Sequence, residues 1–189
     1  MRWDALFTDM ESQFAESERL SFDTEINDRA RAEMVSIELA DRLRGTLGYR
    51  LAVHLACGDA VHGTLSHAGA DALVLDDEQH QVLIPYAAVM CYSGLGRLTV
   101  AEPSQVRRGL GLSHALRGLA RDRAELSVTV GHSGRAIRLV GVIDRVGKDH
   151  LDLATHTPGE ARRKSQVGQV SVIPFAGLAA VRSRLPGEF

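Results

Sequence analysis

Histidine, cysteine and arginine are the residues of this chain whose types and spacing could do chemistry. Four of the eight histidines, His54, His62, His67 and His80, fall close together. Alternation with period two, and a turn at Gly58-Asp59-Ala60, pair Leu55 with Val61 and set His54 opposite His62. Two imidazoles could begin a metal site, but without a nearby third donor they make a poor one. They read as solvent-facing histidines, and no metal is expected. Cys57 and Cys91 lie 34 residues apart with no CxxC partner. Neither a disulfide framework nor a cysteine zinc site follows, only two small side chains in a reducing compartment. No GxSxG, HExxH or Walker A motif occurs. Gly109-Leu110-Gly111 has His114 where a dinucleotide loop needs its third glycine, and no strand leads into it. It reads as a loosened helix start. No catalytic residue and no cofactor are expected, and the chain is not read as an enzyme.

Arginine is the stronger lead. Of 22 basic residues, 20 are arginine and only Lys148 and Lys164 are lysine. With the many alanines, this bias points to a high-GC coding genome. The net charge of −2 hides a split: residues 1–47 carry −5, residues 48–101 carry −3 and residues 102–189 carry +6. Arg107, Arg108, Arg117 and Arg121 fall on a helix predicted over 105–122, with Arg123 just beyond it. Arg135, Arg138, Arg145 and Lys148 fall in the β segment that follows. Arg162, Arg163 and Lys164 fall in a loop after Pro158-Gly159. Arginine makes charge-assisted, often bidentate contacts to phosphate, so these eleven basic residues, without Arg123, form a candidate track for RNA or DNA. Aromatic residues argue the other way. They make up 5% of the chain, and the basic half holds only Phe175 and Phe189, so platforms for stacking bases are scarce. The alternative is a protein-interaction scaffold, in which the acidic amino-terminal helices pair with the basic half or make a homo-oligomer.

The elements that must position these residues come from an internal repeat. Gly63, Leu65, Gly69, Asp71, Leu73 and Leu75 recur as Gly141, Ile143, Gly147, Asp149, Leu151 and Leu153, at an offset of 78. Ile84-Pro85-Tyr86-Ala87 recurs as Ile173-Pro174-Phe175-Ala176, at an offset of 89. The difference is an insertion around Thr155–Gln169 in the second copy. Leu51, Val53 and Leu55 answer Leu126, Val128 and Val130. Leu39, Leu43, Arg44 and Gly45 answer Leu112, Leu116, Arg117 and Gly118. Each copy is thus a helix followed by β structure. Alternation predicts strands near 50–56, 60–67, 71–76, 80–84 and 88–92, then near 125–131, 135–145, 149–154, 168–173 and 178–182. Gly63 and Gly141 sit inside the second strand of each copy, where glycine marks a bend or bulge. Five strands with a bent second one can close into a small barrel and so remove exposed edges. The Pro85-Tyr86 and Pro174-Phe175 stretches predict a short helical turn before each fifth strand.

A helix, five bent strands, a glycine in the second and a short turn before the fifth resemble the Sm-like branch of the SH3-like barrels, which includes the bacterial Hfq proteins. The resemblance covers about 105–185 and about 39–93. It implies two barrels, but it carries over no RNA-binding residue. No asparagine follows Asp71 or Asp149, and Ile-Pro stands where the family has a basic residue and glycine.

Trp3, Leu6, Phe7, Met10 and Phe14 recur at three and four, as one stripe of an amphipathic helix. Ser21-Phe22-Asp23-Thr24-Glu25 predicts a break with new capping residues, and a second helix from about 24 to 46. The expected fold is α+β and mostly β. A helical arm spans 1–47, a first five-stranded barrel 48–101, a linker helix 102–123 and a second five-stranded barrel 124–185. No apolar run approaches the roughly 20 residues of a membrane helix. The opening Met1-Arg2-Trp3-Asp4 leads into an amphipathic stretch and not a signal-peptide core. A cytoplasmic protein that does not act at a membrane is expected.

Overall fold

The computed structural model describes residues 2–155 and 169–184. It divides into two compact units, Met1–Glu38 and Leu39–Phe189.

The first unit is a single helix, α1 (Arg2–Ser36). The predicted break at 21–25 is absent. Ser21 Oγ donates to the Glu18 carbonyl at 2.8 Å and Thr24 Oγ1 to the Leu20 carbonyl at 2.7 Å. Both hydroxyls bond back along the helix instead of capping a new one, which lets α1 run through. Trp3, Phe7, Met10 and Phe14 share one side and are exposed.

Among the described residues the second unit holds α2 (Leu39–Arg44), α3 (Gln105–Arg108), α4 (Leu112–Asp122) and ten strands. The first copy supplies β1 (Arg50–Leu55), β2 (Ala60–Ala68), β3 (Ala72–Asp76), β4 (His80–Pro85) and β5 (Val89–Ser93). The second supplies β6 (Leu126–His132), β7 (Arg135–Val146), β8 (His150–Thr155), β9 (Val170–Pro174) and β10 (Leu178–Arg184). All ten stand within two or three residues of where alternation predicts them. The 3-10 turns Tyr86–Ala88 and Phe175–Gly177 sit before β5 and β10.

The expectation of two closed barrels is overturned. The strands form one open antiparallel sheet in the order β5-β1-β2-β3-β4-β10-β6-β7-β8-β9. In each copy the last strand turns back onto the first, so β5 pairs with β1 and β10 with β6. Neither fourth strand then closes onto the fifth strand of its own copy. Instead β4 pairs with β10, matching Leu83 with Val181 and Val82 with Arg182. An edge strand's unpaired N–H and C=O groups are satisfied as well by a neighbouring repeat as by their own. Period-two alternation fixes which face a residue takes and leaves the partner strand open.

This seam also mixes the cores. Ala179 and Ala180 of β10 join the core of the first copy, around Leu51, Val53, Leu65 and Leu75. Ala72 and Leu83 join the core of the second, around Leu116, Val128, Ile143 and Leu153. Helix α2 contributes Leu43 to the first core, and α4 contributes Leu112 and Leu116 to the second.

The predicted glycines are required by close approach. A Cβ on Gly63 would come within 2.8 Å of the Asp76 carbonyl oxygen, and one on Gly141 would overlap the Ala154 carbonyl oxygen. The bulges lie three residues further on, at Ser66 in β2 and Asp144 in β7. Gly111 has the same explanation, and it corrects the reading of a loosened helix start. Asp71 Oδ1 accepts the Leu112 N–H at 2.6 Å, and a Cβ on Gly111 would collide with that carboxylate.

Candidate interaction surface

The described basic candidates do not share one element: they lie on α3, α4, β7 and the turn after it. Arg117 and Arg121 are exposed one turn apart on α4, and Arg107 is exposed on α3, which also carries Arg108 in its backbone. Arg135 opens β7, and Arg138, three residues on, takes the opposite face. Arg145 stands beside the β7 bulge, ten residues of strand from Arg135, or about 33 Å along the chain. Lys148 is exposed in the turn to β8. Arg117, Arg121, Arg135, Arg138 and Arg145 make no ion pair among the described residues. Arg162, Arg163 and Lys164 lie outside the described residues.

The histidines do not form a facing pair either. The register matches Val53 with Val61, so Ala52 faces His62 and Ala60 faces His54. The turn closes one residue earlier than expected, with the Leu55 N–H donating to the Asp59 carbonyl at 2.8 Å, and this moves the register so that the histidines slide apart. Among the described residues no group of three or more His, Cys, Asp or Glu side chains is placed to hold a metal. Cys57 is buried in the first core and Cys91 is exposed on β5, and both are free thiols. Asp149 sits beside His150, whose Nδ1 lies 2.9 Å from Oδ1. That hydrogen bond holds the Asp149 carboxyl below its ordinary range.

The distinctive surface is the pair of sheet edges. Among the described residues, strand β5 pairs with β1 alone and β9 with β8 alone. Natural edge strands are usually protected by lysine, an inward charge or a cover, because free backbone groups invite another strand. Here β5 reads Val-Met-Cys-Tyr-Ser and β9 reads Val-Ser-Val-Ile-Pro, with no charged residue in either. Met90 on β5 and Val170 and Val172 on β9 are exposed. Tyr92 of β5 packs its ring against the first core. Its hydroxyl has no hydrogen-bond partner among the described residues, and burial pushes its pKa up to about 12. Tyr86, by contrast, donates to the Gly69 carbonyl at 2.9 Å.

Reading the sequence for charge and titratable groups passes over these edges, because their signal is a lack of charge. The repeat itself held the clue, since an offset of 89 aligns Val172 with Leu83 and Met90 with Ala179. No protein-family model matches the chain, and no curated protein is similar to it in sequence. Among the described residues no helix is long and apolar enough to cross a membrane.

Proposed function

We propose that the protein is a non-enzymatic interaction module whose open sheet edges take up a protein strand. The observation that carries this reading is that both β5 and β9 are uncharged, carry exposed apolar side chains and, among the described residues, have one unpaired side each. Strand addition to such an edge draws affinity from main-chain hydrogen bonds and specificity from alternate side chains. The free thiols suit a reducing compartment. Sedimentation of the full chain over a wide concentration range tests the reading in its simplest form. A species heavier than the 20.5 kDa monomer, growing with concentration, supports it. A monomer throughout counts against self-association.

A second reading rests on a different observation. The exposed arginines of α4 and β7 lack carboxylate partners among the described residues and so are available to phosphate. On this reading the chain binds RNA or DNA through its basic half. Electrophoretic mobility with mixed RNA at two salt concentrations tests it, since phosphate contacts give a steep salt slope. Replacing Arg162, Arg163 and Lys164 together by alanine should weaken that binding and flatten its slope while leaving thermal stability unchanged. Unchanged affinity would remove the loop from the interface.

A further inference from the structure

Helix α1 forms the first compact unit by itself, and its described side chains are all exposed. Trp3 is 70% exposed and Phe7 59%, and Met10 on the same side is exposed as well. Spacings of four, three and four join Trp3, Phe7, Met10 and Phe14. These are the spacings of the a and d positions of a heptad, the seam along which one helix packs on another. Helices in proteins owe most of their stability to packing such a face.

An acidic line runs beside this seam. Glu11 stands four residues after Phe7, and Glu18 four after Phe14, so each carboxylate lies one turn from a seam residue. Glu11, Glu18 and Glu25 repeat at seven, which keeps them on one side of α1, at the flanking position where packed helices pair their charges. All three are exposed, and none makes an ion pair among the described residues. The same heptad frame puts Gln13 and Leu20 on the opposite flank. One border of the seam is therefore acidic, and the other is uncharged at these positions. After Phe14 the seam positions fall to Ser17, Ser21 and Thr24, so the apolar contact ends there.

We propose that α1 docks a basic amphipathic helix of another protein, whose apolar face covers Trp3, Phe7 and Met10 and whose lysines or arginines meet Glu11 and Glu18. The flanking charges choose this occupant. A second α1 set antiparallel brings acids against acids, and one set parallel offers only Gln13 and Leu20, so self-pairing leaves these carboxylates without a cation. A lipid surface fits less well, because interfacial helices carry Lys and Arg on the polar face, and α1 borders its seam with glutamate. The same line repels the phosphates of a nucleic acid. This surface belongs to α1 alone and takes up a helix, so it goes beyond the strand-binding edges of the module.

Trp3 is the one tryptophan of the chain, so its fluorescence reports on the seam. The probes are two synthetic peptides about four heptads long, with Leu at a and d, one carrying Lys and the other Glu at e and g. Added to the full chain, the Lys peptide should shift Trp3 emission to the blue and shield it from acrylamide, with an affinity that falls as salt rises. The Glu peptide should do neither. Phe7→Ser strips one apolar contact from an exposed position and should weaken binding of the Lys peptide by about tenfold or more. Glu11→Lys with Glu18→Lys should reverse the preference, releasing the Lys peptide and taking up the Glu peptide, a gain that also shows the variant helix to be intact. Equal effects of the two peptides, or no response to either, overturn the inference. A blue shift that grows with the protein's own concentration overturns it in favour of a second copy. One produced by phosphatidylcholine vesicles and by neither peptide overturns it in favour of lipid. Every readout sits on α1, so each of these failures leaves the strand-edge reading standing.

Discussion

Gly141 shows how one residue sets the path of two strands. Its missing side chain lets the Ala154 carbonyl of β8 lie over β7, where any Cβ would overlap that oxygen. The obstacle is backbone, so no rotamer change relieves it. Replacing Gly141 by valine should therefore destabilise the sheet by on the order of 3 kcal/mol. That lowers the melting temperature by about 6–12 °C for a chain of this size, read by circular dichroism. An unchanged melting temperature would mean that β8 shifts aside freely. The glycine was legible in the sequence as an irregularity inside a strand. Its cause was not, because the close approach is made by Ala154 of the next strand, 13 residues further along the chain.

At the scale of elements, the strands were the most legible feature and the helices the least. Short alternating runs between Gly and Asp turns leave few other solutions, and all ten appear. The break expected near Ser21 fails because serine and threonine serve equally as caps and as donors to the preceding turn, and local sequence does not choose between these roles. Helix α4 is a third case. Its amino terminus begins at Gly111 with no side-chain cap of its own, and the acceptor comes from Asp71, 41 residues earlier. Asp71→Ala should cost about 1 kcal/mol, the usual value of an N-cap. Hydrogen exchange should quicken in the first turn of α4 while β6–β8 keep their protection. Equal loss throughout the sheet would show that Asp71 supports more than the helix end.

For the molecule as a whole, the seam makes the two copies one cooperative body. Ala179 and Ala180 complete the first core, and Leu83 completes the second. Val181→Asp would bury an unpaired carboxylate in the seam, a change costing several kcal/mol against a typical total of about 5–15. Hydrogen exchange should then lose protection in β1–β4 together with β6–β8. Retained protection in the first copy alone would show that the repeats fold independently. The same seam explains the limit of sequence reasoning here. Residue pattern alone determined the duplication, the ten strands, the alternation of faces and the glycines where strands cross closely, because these depend on neighbours in the chain and on side-chain period. Only tertiary structure decided that the strands form one open sheet and not two barrels. Backbone hydrogen bonds are the same for every partner, so the choice of which edge meets which rests on packing between residues about 100 positions apart, such as Leu83 and Val181.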